Sequence, residues 1–223
     1  MKIRTVDELD NRIQGDLTWR RHEMQFFDQQ IHAAGPIAKR SLLRASTTLL
    51  YAHWEGFIKT ACHYYLCYIS SLKLEVRQLS PELAALSLRT SLLEASASNS
   101  PQLHADMVRG IRESAGEKSK IPTKRDAVKT RSNLSFQVLE QVLASVGVNS
   151  EIYSSSSDLI NDQLVESRNK VAHGENDHIA STEWAVLQTE IFTIMESIAT
   201  QLVNNATTKK YLAISDLAVA YPT

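Results

Sequence analysis

Apolar residues recur along this chain at helical spacing. From about Val6 to Ala34, the residues Leu9, Ile13, Leu17, Met24, Phe27 and Ile31 lie three, four or seven positions apart, which predicts one long amphipathic helix. Gly35-Pro36 ends it. A second, longer helix is expected from about Ile37 to Leu74. It is broadly apolar between Leu42 and Ile69, and Tyr51, Trp54, Phe57, Tyr64, Tyr65 and Tyr68 crowd its middle. An apolar surface that wide belongs to a central helix packed on several sides. Ser80-Pro81 opens a third helix, since proline tolerates the first turn, and Leu83, Leu86, Leu88 and Leu92 carry it to about Ala97.

The middle of the chain is less regular. Ser98-Asn99-Ser100-Pro101 reads as a loop, Gln102 to Ser114 as a short helix, and Gly116 to Arg131 as irregular and basic. Ser132 and Asn133 are the expected N-caps of a helix over Phe136, Val138, Leu139, Val142, Leu143 and Val146, which Gly147 and Asn149 terminate. Ser154 to Ser157 read as a polar hinge. Asp158 is the expected cap of a helix carrying Leu159, Ile160, Leu164, Val165 and Val171 to His173, with Gly174 as its stop. Ser181 is the expected cap of the last long helix, from about Thr182 to Ala206, whose stripe is Trp184, Leu187, Ile191, Ile194, Met195, Ile198 and Leu202. Tyr211 to Tyr221 is apolar and ambiguous between helix and strand. No internal repeat is visible. The pattern predicts an all-α bundle of long antiparallel helices with an inserted middle section. It is read as a single domain over 1–223, with about 98–131 as an insertion or flexible basic loop.

Composition agrees with a packed helical protein. Of 223 residues, 43% are hydrophobic and 22% charged, while 7 Gly and 5 Pro are few for a loop-rich β protein. The formal net charge of −1 supplies no global positive field, so a nucleic-acid ligand needs a local basic patch. Cys62 and Cys67 sit five apart on one helical run, pointing to different faces, so an intrahelical disulfide is geometrically poor. Such sparse cysteine, with no signal-peptide pattern and no stretch of the ~20 apolar residues that cross a bilayer, points to the cytoplasm and to no membrane partner. Cys62, His63 and Cys67 lack zinc-ligand spacing, and the sequence has no P-loop, no dinucleotide fingerprint and no Gly-x-Ser-x-Gly elbow. Neither metal nor cofactor is expected.

The chemistry concentrates in Glu166-Ser167-Arg168-Asn169-Lys170-Val171-Ala172-His173-Gly174-Glu175. Arginine keeps its proton at neutral pH, whereas histidine gains or loses one readily. One stabilises a phosphate and the other moves a proton, the two services that RNA cleavage without a metal needs. On a helix Asn169 and His173 are separated by roughly 40° and Arg168 and His173 by roughly 140°, so the latter pair does not converge automatically. Two copies of the helix facing each other would line one cleft with both residues. The bland alternative is a histidine at a helix C-terminus and an arginine paired with Glu166 or Asp162.

The run Arg-Asn-x-x-x-His resembles the active-site motif of the HEPN superfamily of helical nucleases. The wider chain resembles one HEPN branch, compact prokaryotic proteins of cyanobacterial type named after two Microcystis members. Its anchors are Leu17-Thr18-Trp19-Arg20, then Leu50-Tyr51-Ala52-His53-Trp54-Glu55-Gly56-Phe57-Ile58-Lys59, then Asn133-Leu134-Ser135-Phe136, and finally Arg168 through Glu175. The resemblance implies an α-helical fold, dimerisation through the motif-bearing helices and metal-independent RNA cleavage by a toxin or defence effector. By it, Arg168 and His173 form the central pair and Asn169 positions them.

Glu55 and His53 are the expected supporting residues. The carboxylate of Glu55 lies on an aromatic helix where it needs a partner, and Lys59 at i+4 supplies one. Lys118, Lys120, Lys124, Arg125, Lys129 and Arg131 face the single acid Asp126, so this segment is either a solvated loop or a track for RNA phosphates. Lys170, Lys124, Arg125, Lys129 and Arg131 are the candidate RNA-binding residues. The expected partners are RNA, a second copy of the chain, and an antitoxin or defence-system protein. The competing expectation is a non-catalytic HEPN module that binds nucleotide or a partner protein.

Overall fold

The computed structural model describes residues 2–130, 133–176 and 178–213, with Asp126 described in its backbone only. Its elements in chain order are α1 (Val6–Ala33), α2 (Pro36–Ser71), α3 (Pro81–Ser87), α4 (Arg89–Ser96), α5 (Pro101–Ser114), α6 (Phe136–Ser145), α7 (Ser167–Ala172) and α8 (Ser181–Thr207). A π-helix, Leu159–Glu166, runs directly into α7, and short 3₁₀ turns lie at Val76–Gln78, Arg125–Ala127 and Glu151–Ser156. Among the described residues there is no strand, only isolated bridges pairing Glu75 with Lys118 and Leu79 with Leu212. The part of the ambiguous C-terminal run beyond Ala213 lies outside the described residues.

The three long helices carry the bundle. Thr5 accepts a hydrogen bond from the Glu8 amide and starts α1, and Ala34-Gly35 turns the chain back into α2, where Pro36 occupies the first turn. At about 1.5 Å per residue, the 36 residues of α2 span about 54 Å. Its buried residues run all round its middle: Leu50, Tyr51, Trp54, Phe57, Ile58, Ala61, Cys62, Tyr65 and Leu66 are all 4% exposed or less. The helix can therefore pack on several neighbours at once, as its breadth of apolar residues predicts. Leu9, Ile13, Leu17, Met24 and Ile31 of α1 and Trp184, Leu187, Ile191, Met195, Ile198 and Leu202 of α8 fill the shared core. Asp28 ties α8 to α1, accepting from Trp184 Nε1 at 3.0 Å and Gln188 Nε2 at 2.7 Å. The section α3–α5 is inserted between α2 and α6, and α5 buries none of its residues.

Several expected boundaries are corrected. The third helix breaks at Leu88 into α3 and α4. Ser135, not Asn133, caps α6 by accepting from the Val138 amide, and Ser132 lies outside the described residues. The polar run Ser154 to Ser157 is helical, not a hinge, because Tyr153 anchors it. That ring is buried, and its hydroxyl donates to Ser197 at 3.0 Å and accepts from Gln201 at 2.6 Å. Asp158 is itself helical and caps nothing, and α8 starts after Ala180, whose amide donates to the Glu183 carboxylate.

A buried polar chain crosses the α1–α2 seam. Arg20, 4% exposed, pairs with Asp16 at 2.9 Å, lies 4.5 Å from the Trp19 ring centroid and meets His53 Nδ1 at 3.4 Å. Gly56 makes the passage possible, since a Cβ there would stand 2.9 Å from the Arg20 guanidinium. Arginine has only donors, so Nδ1 must present its lone pair and the proton sits on Nε2, 2.9 Å from the Glu23 carboxylate. Burial, then the Arg20 charge, lowers the His53 pKa below its ordinary value, against the opposing pull of Glu23 and Asp16.

Two outcomes follow. Asp16→Ala leaves a buried guanidinium without its counter-charge and should cost about 3 kcal/mol of unfolding free energy in urea titration. The folded His53 stays neutral where the unfolded chain takes up a proton. Its contribution is therefore complete above the unfolded value of about 6.5 and declines as pH falls through that value toward the lowered folded one. The urea midpoint should drop across that window, and His53→Gln should flatten the drop; an unchanged slope would refute the assignment.

Candidate functional site

One stripe of α2 organises the site. Arg40, Arg44, Tyr51, Glu55 and Lys59 lie four, seven, four and four residues apart, on the side of the helix that receives α7. Arg168, the second residue of α7, lays its guanidinium over the Tyr51 ring, 3.7 Å from the centroid, and donates from Nη1 to Asn169 Oδ1 at 2.8 Å. The surface pairing of Arg168 with Glu166 or Asp162 is replaced by this stack, and Glu166 pairs with Lys170 at 2.7 Å.

Tyr51 is held from both ends. Its hydroxyl accepts the Leu134 amide at 2.7 Å, and Glu55 lies one turn further along the same stripe. The Leu134 carbonyl in turn accepts from Trp54 Nε1 at 3.1 Å, so α2 satisfies both backbone groups of a buried loop residue. Burial pushes the Tyr51 pKa up, and the phenol keeps its proton. Glu55 accepts from Lys59 at 2.8 Å and from Thr130 Oγ1. Burial alone would raise its pKa, but the bonds from Lys59 and Thr130 outweigh that and hold the carboxyl below its ordinary value.

The other end of the stripe holds the turn that follows α7. His173 is the C-cap residue and is exposed. Gly174 takes φ +79°, its amide donates to Val171 and the Glu175 amide to Lys170, a Schellman turn that satisfies the last carbonyls. Arg44 Nη1 donates to the Glu175 carbonyl at 2.6 Å and Arg40 Nη2 to Asn176 Oδ1 at 2.7 Å, and Arg40 also meets His178. The segment preceding α7 is a π-helix, where the sequence pattern predicts a plain α-helix. With i→i+5 bonding, positions i+4 and i+5 both lie near i, which lets Ile160, Leu164 and Val165 bury together.

The expected site residues are thus distributed as follows. Arg168, Asn169, His173 and Lys170 share one short helix and its cap. Glu55 lies one turn from Tyr51 on the same stripe of α2 and is bonded to Lys59 and Thr130. His53 is corrected: two residues from both Tyr51 and Glu55, it points to the opposite side of α2, and its partners are Trp19, Arg20 and Glu23 of α1. Lys124 and Lys129 are exposed, and Arg125 donates to Thr60 of α2 at 3.0 Å, so this basic segment lies along α2 beside the Glu55–Thr130 bond. Arg131 lies outside the described residues. Tyr51, Arg40 and Arg44 are additions that sequence reading did not assign to the site, although their spacing along α2 puts them on the Glu55 stripe. Among the described residues no group of three or more His, Cys, Asp or Glu side chains is placed to hold a metal ion, and no helix is long and apolar enough to cross a membrane.

Comparison with protein families gives a match to the MAE_28990-like HEPN family over residues 9–211. That range covers most of the chain, which therefore belongs to this HEPN family. Neither the curated proteins nor the solved structures give a match.

Gly174 tests the geometry of the turn. Alanine there meets no neighbour, so its whole effect is the left-handed backbone, and Gly174→Ala should cost about 1 kcal/mol in thermal or urea unfolding. A neutral result would mean that the turn carrying His173 is not held in this conformation.

Proposed function

We propose that this HEPN protein is a metal-independent endoribonuclease, a toxin or defence effector, in which Arg168, Asn169 and His173 carry the reaction. His173 takes the proton from a ribose 2′-hydroxyl or returns one to the leaving 5′-oxygen. The 2′-oxygen attacks phosphorus, the bond from phosphorus to the 5′-oxygen breaks, and the products are a 2′,3′-cyclic phosphate and a 5′-hydroxyl. Arg168 binds the scissile phosphate and offsets charge in the pentacoordinate transition state. DNA lacks the nucleophile and is spared.

The observation that carries this reading is the pairing of a preorganised guanidinium with a solvent-facing imidazole one turn later. Arg168 is held by Tyr51 and Asn169, while His173 is presented on a clamped turn. A group that must reach across to RNA and to a second protomer needs that exposure. The composite site of two chains, with Arg168 and His173 contributed across the dimer, follows from their angular separation on α7. The exposed Lys124 and Lys129, with Arg125, supply a phosphate track alongside, and Lys170 adds a cation within the motif.

The test is cleavage of a mixed RNA pool in EDTA. Wild type should leave cyclic-phosphate ends, His173→Ala and Arg168→Ala should each lose about 100-fold or more, and both should remain folded dimers. Mixing the two inactive variants should restore cleavage if the site is shared. A His173→Ala protein as active as wild type would end this proposal. Binding without cleavage products would favour the non-catalytic module that grips nucleotide or a partner protein. Replacing Lys124 and Lys129 with alanine should make RNA binding less salt-dependent. The log–log slope should become shallower by about 0.7 for each phosphate that the protein no longer neutralises.

A further inference from the structure

We infer that Tyr51 is the positioning residue for Arg168; this rests on the ribonuclease reading of Arg168. The guanidinium face lies 3.7 Å above the ring centroid, well inside the range of a cation–π interaction. A cation over an aromatic ring keeps its N–H edge directed outward, so the stack fixes where the donors point. The ring itself cannot swing. It is 4% exposed, and its hydroxyl is fixed by the Leu134 amide.

Glu55, one turn from Tyr51 on the same stripe, is bonded by Lys59 and by Thr130 of the basic segment that carries Lys124 and Lys129, so the stripe under Arg168 also meets the proposed phosphate track. The same stripe of α2, through Arg44 and Arg40, clamps the turn behind His173. One helix face thus sets the position of both halves of the motif.

Two readouts test this. In protein labelled with ¹⁵N-arginine, the Arg168 Nε–H cross-peak, assigned by its loss in Arg168→Lys, should be displaced by the ring current. It should stay displaced in Tyr51→Phe and return to the ordinary arginine position in Tyr51→Leu. In cleavage assays, Tyr51→Leu should lower kcat by about 10- to 100-fold with KM nearly unchanged, and Tyr51→Phe should lose less than about fivefold. Where Tyr51→Leu does not fold, Tyr51→Met, which keeps the bulk without the ring face, should give the same undisplaced cross-peak and the same fall in kcat.

An undisplaced cross-peak, or Tyr51→Leu cutting as fast as wild type, overturns the inference. If wild type cuts no RNA, the ribonuclease reading fails separately. The positioning is then decided by the cross-peak and by binding of a 2′-O-methylated RNA strand, which Arg168→Ala and Tyr51→Leu should weaken equally and without adding to each other.

Discussion

Everything about this site passes through the stacking of the Arg168 guanidinium on the Tyr51 ring. A buried phenol has to satisfy its hydroxyl, and Tyr51 does so with the Leu134 amide. That leaves its ring face as the surface on which α7 sets a cation. The aromatic face holds the guanidinium at modest energy, through its π-density and without using up the N–H donors along the edge of the fork. Asn169 completes the arrangement by accepting one of those N–H groups.

The two sides of α2 then divide the labour. The stripe from Arg40 to Lys59 receives the motif helix, its following turn and the basic segment. The opposite side, through His53 and Gly56, receives the buried Arg20 of α1. The four sequence anchors that mark the HEPN resemblance are therefore not independent. Trp19-Arg20 meets His53, Leu134 meets Tyr51 and Trp54, and Arg168 meets Tyr51. Each of the three anchors outside α2 has its partner on α2. Replacing Tyr51 or Trp54 leaves a buried backbone group of Leu134 without its partner, a cost of about 1–3 kcal/mol.

Periodicity was enough to find α1, α2 and α8 to within a few residues, because a long amphipathic stripe has many positions to agree on. It was not enough for Leu159–Glu166, where eight residues with apolar positions at 160, 164 and 165 fit an α-turn and a π-turn equally well. The serine run before it has no apolar pattern at all, and its helical form depends on Tyr153 reaching Ser197 and Gln201 in a distant helix. The motif residues were readable from residue type and spacing. Their support was not: Arg40 and Arg44 hold a turn 136 and 131 residues away, which no local pattern announces. His53 was a different kind of miss. Two positions from Tyr51 and Glu55 on a helix is the other side, so its angle, more than its chemistry, decides what it touches.

The same angular argument bears on how the proposed activity would be controlled. Within one chain, Arg168 is drawn back onto α2, whereas His173 sits at the far end of α7 on an exposed turn that two arginines and a left-handed glycine keep in place. Neither group can move far toward the other without giving up the interactions that order it. On the proposed reading the isolated protomer holds two well-formed halves of a site, and the pairing of chains supplies the juxtaposition that folding alone does not. Rigidity on each side then becomes an advantage, because two preordered halves lose little entropy on meeting. A nuclease built this way is silenced by anything that separates or covers the two α7 helices, and a partner protein needs only to occupy that face, with no need to reach the buried stack beneath it.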